Sequence, residues 1–492
     1  MYFRTMSSVP RPEGLTKALG LFTTTMLVIG SVVGSGIFKN PASMAALVGS
    51  PELLLAVWVG AGLVTLFGAL TIAEIASIIP ATGGQYEYFR VIYGDLMAFV
   101  YGWSLFFVIQ TGSIASITYV FSYYLDSIVP LWNLPEETWR SFAIPLPFGV
   151  IYPLQEIGVK LVTAGVIILL TSINMLGVKE GGRIQNLLTV SKILAILVLV
   201  GAAFFFGQGS VAHFTTSSST IAPAGMALVL AIVLTMNKAL WAYDGWNTVT
   251  AVAGETHEPQ KTIPRALMLG SLSILTIYII INLAYLYILD IDALAQSSSV
   301  AADVARIAVG PWGLTFVAIS VMISTMGTSN GTILQSARVF FAMAKDGFFF
   351  RGLSGVHPRF HTPARALFWQ GAWACLLVFS GTFDMLTEML IFVSWAFYGL
   401  AAYGVFILRK RLPEAPRPYR VWGYPLVPVT FVAFAAVFLV FSLFSDYQNY
   451  VDGHARGEDP ILNSVYGVVI ILSGLPFYWW FRKKGSRRSI QA

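Results

Sequence analysis

Two short stretches of this chain carry residue types and spacings that could do chemistry. One reads GSVVGSGIF, Gly30 to Phe38, with Gly34, Ser35 and Gly36 crowded into an apolar run. The other reads WAYDGWN, Trp241 to Asn247, and sets Asp244 and Gly245 inside a second apolar run. An unwound segment in such a run frees amides and carbonyls, which must then face a cavity and not lipid. Amides at the start of a half-helix, at the positive end of its dipole, suit a carboxylate. Carbonyls at the end of the opposing half-helix suit an ammonium group. A pair of such breaks recognises a zwitterion. The competing use of Gly30 and Gly34, four residues apart, is a close helix-helix contact; the added Ser35 and Gly36 favour unwinding.

Lys192 is the third chemical signal. A lysine near the middle of a span costs ~2.5–3.5 kcal/mol even on the mild insertion scale, so it calls for carbonyl or carboxylate partners. The alternative is a side chain snorkelling to the inner surface. Lys238, six residues before Asp244, is open in the same way: it pairs with an acidic residue at the outer mouth or snorkels outward. Enzymatic groups do not converge. Asp244 has no second aspartate within a span, and no serine-histidine pair lies at membrane depth. Five histidines are scattered and the single cysteine, Cys375, sits in an apolar stretch, so no catalytic residue, metal or cofactor is expected.

The elements that must position these groups follow from composition. Of 492 residues, 56% are hydrophobic and 11% charged, and the mean hydropathy is +0.73. A globular chain carries about 25% charged residues, so this one cannot cover a water-facing surface. Runs long enough to cross ~30 Å of hydrocarbon, about 20 residues each, number twelve: 19–47, 52–79, 91–127, 157–176, 184–206, 225–256, 265–289, 312–343, 366–382, 385–409, 423–445 and 461–481. The longest polar connections, 128–155, 207–224, 290–311 and 446–460, are too short for an independent core. The first 20 residues lack the apolar core and small-residue cleavage site of a secretory signal and read as a cytoplasmic tail.

Twelve spans put both termini on one side. Of the 30 basic residues, Lys39, Arg140, Lys160, Arg306 and Arg456 fall at odd-numbered connections and Lys192 and Lys238 inside spans. All the others fall at the tails and even-numbered connections, which makes that side cytoplasmic. The net charge of +6 reflects this bias and does not point to nucleic acid. The glycine-rich break is in span 1 and the Asp-Gly break in span 6, corresponding positions of two five-helix halves. Paired interruptions of this kind point to a transporter with inverted repeats and a midplane site. No residue-level repeat relates the halves.

At these residues the sequence resembles the amino acid-polyamine-organocation superfamily, and within it the L-type amino acid transporter branch. The specific pieces are GSVVGSGIF (30–38), PATGGQYEYFRVIYG (80–94), RIQNLLTVSKILAI (183–196), WAYDGWNTVTAVAGETHEPQKTIPRAL (241–267) and TSNGTILQSARVFFAMAKDG (328–347). The likeness implies an all-α leucine-transporter-type fold: a ten-helix core over 19–411 made of inverted halves with helices 1 and 6 broken, two further helices in 412–482, and cytoplasmic tails 1–18 and 483–492. It implies a substrate site at Val32, Gly34, Ser35 and Gly36 of helix 1 and at Trp241, Ala242, Tyr243, Asp244, Gly245 and Asn247 of helix 6. Amides around Gly34, Ser35 and Gly36 would hold the carboxylate, and carbonyls near Val32, Trp241 and Asp244 the amino group. Trp241 matches the aromatic that closes over the substrate, and Asn247 a polar residue bordering the pocket. Lys192 matches the helix 5 lysine that stands where sodium-coupled relatives hold sodium. Glu74 fits an acidic position near the cytoplasmic end of helix 2, with packing and gating as its expected part and substrate contact as the alternative.

Relatives linked covalently to a glycoprotein use a cysteine between helices 3 and 4, and residues 128–156 contain none. The resemblance therefore implies a chain that works without a disulfide-linked heavy subunit, in a bacterial inner membrane. The implied function is sodium-independent exchange of L-amino acids, chiefly neutral ones, with cationic ones open because of Asp244. Proton-coupled uptake is the alternative, since Lys192 or Asp244 could titrate.

Overall fold

The computed structural model describes residues 17–146, 149–381, 383–456 and 462–489; residues 1–16 and 490–492 of the expected tails lie outside the described residues. Helices α1 (Leu21–Val32) and α2 (Gly36–Val48) are the two halves of the first span. Helix α3 (Pro51–Ile78) starts where its sequence is built to start. The Ser50 hydroxyl accepts from Leu53 N at 3.2 Å, and proline fills the first turn, where its missing N–H has no partner to lose. Then come α4 (Gln85–Tyr93), α5 (Asp95–Ser104) and α6 (Gln110–Asp126), the last two joined by one π-helical turn, Leu105–Ile109. A short α7 (Glu136–Arg140) and the antiparallel strands β1 (Ile144–Leu146) and β2 (Gly149–Ile151) precede α8 (Ile157–Met175) and α9 (Val178–Phe206). The second half has α10 (Met226–Ala242), a 3-10 segment (Thr248–Glu255), α11 (Pro259–Ile288), α12 (Ile291–Gln296), α13 (Val300–Val309), α14 (Trp312–Lys345) and α15 (Ala364–Ser380). It ends with α16 (Phe383–Arg411), α17 (Leu426–Ala455) and α18 (Asn463–Ser489).

Among the described residues ten segments are long and apolar enough to cross a membrane: α1–α2 and α5–α6 taken as units, then α3, α8, α9, α11, α14, α16, α17 and α18. Helices α10 and α15, at 17 residues each, are shorter. The protein is thus a multi-pass helical membrane protein, with β1 and β2 its strands among the described residues. Its outer shell presents large apolar side chains such as Leu161, Ile168, Leu197 and Val440, which water would not tolerate and lipid does. Inside, α11 packs on α1 and α3, and α14 packs on α6 and α9. Amides join these inner helices, Asn330 donating to Gln185 Oε1 at 3.0 Å and receiving from Asn174 at 2.7 Å.

Three elements differ from the sequence reading. Span 91–127 does not start as one helix, because Gly94 at φ 92° turns the chain between α4 and α5. The end of span 6 continues as a 3-10 segment and not as an α-helix. Residues 446–455, read as part of a polar connection, extend α17; no proline interrupts them, and a helical turn outside the apolar run needs only water on its polar face.

Candidate binding site

Val33, Gly34 and Ser35 interrupt the first span, and Tyr243 to Asn247 form a turn between α10 and the 3-10 segment. In that turn Gly245 adopts φ 96°, a backbone that side chains rarely accept. Between the interruptions lies a cavity lined by Gly34, Ser35 and Gly36 on one side and by Trp241, Ala242, Asp244 and Gly245 on the other. The breaks also touch each other. A Cβ on Gly36 would lie 2.6 Å from Ala242 Cβ and 3.2 Å from Trp241 Cζ3, so glycine is what permits the approach. The buried Ser35 hydroxyl has no hydrogen-bond partner among the described residues.

Lys192 stands behind the first break. Its Nζ donates to Gly30 O at 2.9 Å, Val33 O at 2.6 Å and Thr328 Oγ1 at 2.9 Å, and the side chain is 1% exposed. All three partners are neutral oxygens, and the ammonium ties α9 to the freed end of α1 and to α14. The Val33 carbonyl also receives Ser324 at 3.3 Å and Thr328 at 3.1 Å.

Val32 borders the cavity, but its carbonyl already accepts: Tyr278 OH lies 3.0 Å from Val32 O and 2.8 Å from Ala242 O, holding the ends of α1 and α10 together. Tyr243 and Asn247 lie away from the cavity, because successive residues of a turn point in different directions. The Tyr243 ring packs against Trp58 and Tyr278, and its hydroxyl donates to Trp58 O at 3.2 Å. Asn247 donates to Gln85 Oε1 and lines a second cavity, which shares Gln110 and Thr248 with the first. Asp244 Oδ1 accepts Tyr398 OH at 2.7 Å. Lys238 makes no ion pair among the described residues, while its carbonyl accepts Asn40 at 2.7 Å.

Glu74 is fully buried outside the cavity. Its carboxylate takes Arg409 through Nε at 2.9 Å and a second nitrogen at 2.7 Å, and also accepts Val421 N at 2.7 Å. It thereby binds α3 to the end of α16 and to the segment before α17. Glu74→Ala should cost ~3 kcal/mol, the low end for one partner of a buried pair because the Arg409 side chain is 26% exposed. The check is a lowered unfolding temperature of the purified protein, with ligand affinity of the folded fraction unchanged.

The N-terminal segment is tied to the end of the 3-10 segment. Ala18 N and Leu19 N donate to Glu255 O at 2.9 and 3.0 Å, and His257 N donates to Leu19 O at 2.9 Å. The Glu255 side chain pairs with buried Arg338 of α14 at 3.3 Å. Beside it, Tyr86 donates to Asp346 at 3.1 Å and Arg90 pairs with Glu87 at 2.7 Å. Burial pushes the Glu87 carboxyl up to about 7, opposed by the Arg90 guanidinium.

Sequence reasoning missed the rest of the cavity lining, Gln110, Ser113 and Ile117 of α6 and Thr328 and Thr332 of α14. Gln110 carried a signal, an amide within the apolar run FFVIQTGSI. Tyr278, inside LTIYIII, carried none.

A family profile described as amino acid permease matches residues 19–471. The serine/threonine exchanger SteT of Bacillus subtilis (strain 168) is 32% identical over 475 residues, covering 96% of this chain and 98% of that protein. The human b(0,+)-type amino acid transporter 1 is 29% identical over 479 residues, 96% of this chain and 90% of its own length. The human cystine/glutamate transporter is 31% identical over 470 residues, 95% and 85% of the two chains.

Proposed function

The chain belongs to the amino acid permease family, and from that premise we propose that it exchanges L-amino acids across the membrane without sodium, by alternating access. Members of the family are transporters and not enzymes. The observation that carries the reading is the cavity between the two breaks, with glycine backbone and an unpartnered Ser35 hydroxyl on one side and the Asp244 carboxylate on the other. The start of α2 suits the substrate carboxylate and the end of α10 its ammonium. Neutral amino acids are the proposed main cargo, and Asp244 offers a place for a cationic side chain. Trp241 closes over the substrate, and Gly34, Ser35, Gly36, Ala242 and Gly245 form its backbone cradle.

The proposed topology has twelve spans, with α10 and its 3-10 continuation and α15 added to the ten long ones. Residues 19–411 form two inverted five-helix halves, 412–482 the two peripheral helices, and 1–18 and 483–492 basic cytoplasmic tails. The N-terminal latch then closes the cytoplasmic side. Cys375 lies in α15, and no cysteine occurs in 128–156, which supports a chain working without a disulfide-linked heavy subunit. The distribution of basic residues supports cytoplasmic termini, and the bacterial relative supports a location in a bacterial cell membrane.

The test is uptake of radiolabelled amino acids into proteoliposomes, with and without internal amino acid and with and without a pH gradient. Exchange predicts uptake at least about tenfold faster with internal amino acid and no response to the gradient. Acceleration by an inward proton gradient without internal substrate would establish the proton-coupled symporter instead.

A further inference from the structure

The α6 wall of the cavity holds an amide with nothing to bond. Gln110 is 6% exposed, its Oε1 is buried without a partner, and its Nε2 makes no hydrogen bond among the described residues. Ser113, one helical turn on and on the same face, is likewise without a side-chain hydrogen bond. Ser35, at the first break, is the other unpartnered hydroxyl of the cavity, and the threonines are committed. Thr248 donates to Gly245 O at 2.7 Å, Thr328 to Val33 O at 3.1 Å and Thr332 to Thr328 O at 3.0 Å. Gln110 is also the side chain of α6 that borders both cavities.

A buried amide without a partner is costly, so whatever fills the cavity must serve it. Water is the default partner of such a group. With an amino acid bound by its carboxylate and ammonium at the two breaks, the side chain is the part left to meet the rest of the lining, Gln110 and Ser113 included. A side chain with its own donor and acceptor replaces the water; an apolar one of the same shape displaces it and leaves the amide unpaired. Sites that hydrogen-bond a substrate hydroxyl discriminate strongly against the analogue lacking it.

We propose that the Gln110 amide, seconded by Ser113, reads the substrate side chain and selects small amino acids bearing a hydroxyl or carboxamide over apolar amino acids of equal size. This rests on the reading that the cavity between the breaks binds the amino acid. Because an amide carries both donor and acceptor, the selection holds with either orientation of the Gln110 head group.

Threonine and valine, which are isosteric, make the deciding pair. The experiment is thermal-shift titration of the purified full-length chain in detergent with each of them, on the natural sequence and on Gln110→Met and Gln110→Asn. The natural protein should bind threonine at least about tenfold more tightly than valine, the worth of one or two well-made hydrogen bonds. In Gln110→Met the ratio should fall to within about threefold of one, chiefly by loss of threonine affinity, while Gln110→Asn keeps part of it. A ratio near one in the natural protein overturns the proposal, whether or not the variants fold, and so does a ratio that Gln110→Met leaves intact. Stabilisation by leucine but not by threonine also overturns it while leaving amino acid binding standing. No shift with any of the twenty amino acids would sink the amino acid reading itself.

Discussion

Gly36→Val is expected to lower amino acid affinity at least about 100-fold, the upper range of overpacking at ~3 kcal/mol. The reason is contact between the two breaks. The Cβ alone would come within 2.8 Å of Ala242 Cα, and the two further methyl groups have no flexible side chain to push aside, because the neighbour is backbone. The start of α2 must then separate from the end of α10, and the groups proposed to hold the two charged ends of one amino acid no longer fit it together. A control separates this from a general loss of folding. Gly165→Val, on the outer face of α8 where a Cβ would meet nothing within 4 Å, should leave affinity unchanged. Equal affinity of Gly36→Val and the natural protein, by thermal-shift titration, would place the substrate elsewhere.

Lys192→Ala should weaken substrate binding between about fivefold and about 150-fold, the range for leaving a buried polar group without its partner at ~1–3 kcal/mol. The loss is unequal at its two carbonyls. Val33 O keeps the Thr328 and Ser324 hydroxyls, while the bond from Lys192 to Gly30 O goes unreplaced among side chains. The end of α1 is therefore held less firmly against α9 and α14, and the proposed carboxylate cradle at Gly34 to Gly36 loses its backing. The same geometry has a second consequence for the natural protein. On the proposed reading, a fixed ammonium among the oxygens of the broken span supplies the positive charge that a bound sodium would bring, so the proposed exchange into proteoliposomes should run at the same rate in sodium and in choline. Strict dependence on sodium would defeat this assignment of Lys192, as would full substrate affinity in Lys192→Ala.

Much of this was legible in the residues themselves. Hydrophobic runs and the bias of basic residues are local properties, because insertion in lipid acts on each segment of about 20 residues separately. The first break was visible as Gly34-Ser35-Gly36 and the second as Asp244-Gly245, since a glycine cluster in an apolar run marks where the backbone can leave the helix. Lys192 was visible as a charge too deep in a span to go without partners. What those partners are was not. Gly30 and Thr328 stand 162 and 136 residues from Lys192 in sequence, and both were brought to it by the packing of α9 on α1 and α14. Packing likewise decided that Tyr243 and Asn247 turn away from the cavity, that Tyr278 occupies the Val32 carbonyl, and that Glu74 answers Arg409 from 335 residues away. It also made Gln110 part of the cavity wall. The membrane class, the two breaks and the buried lysine can be read from the chain alone, because each depends on neighbours in sequence. Which side chains face the cavity cannot, because a helix fixes the spacing of its residues but its rotation is set by the helices packed around it.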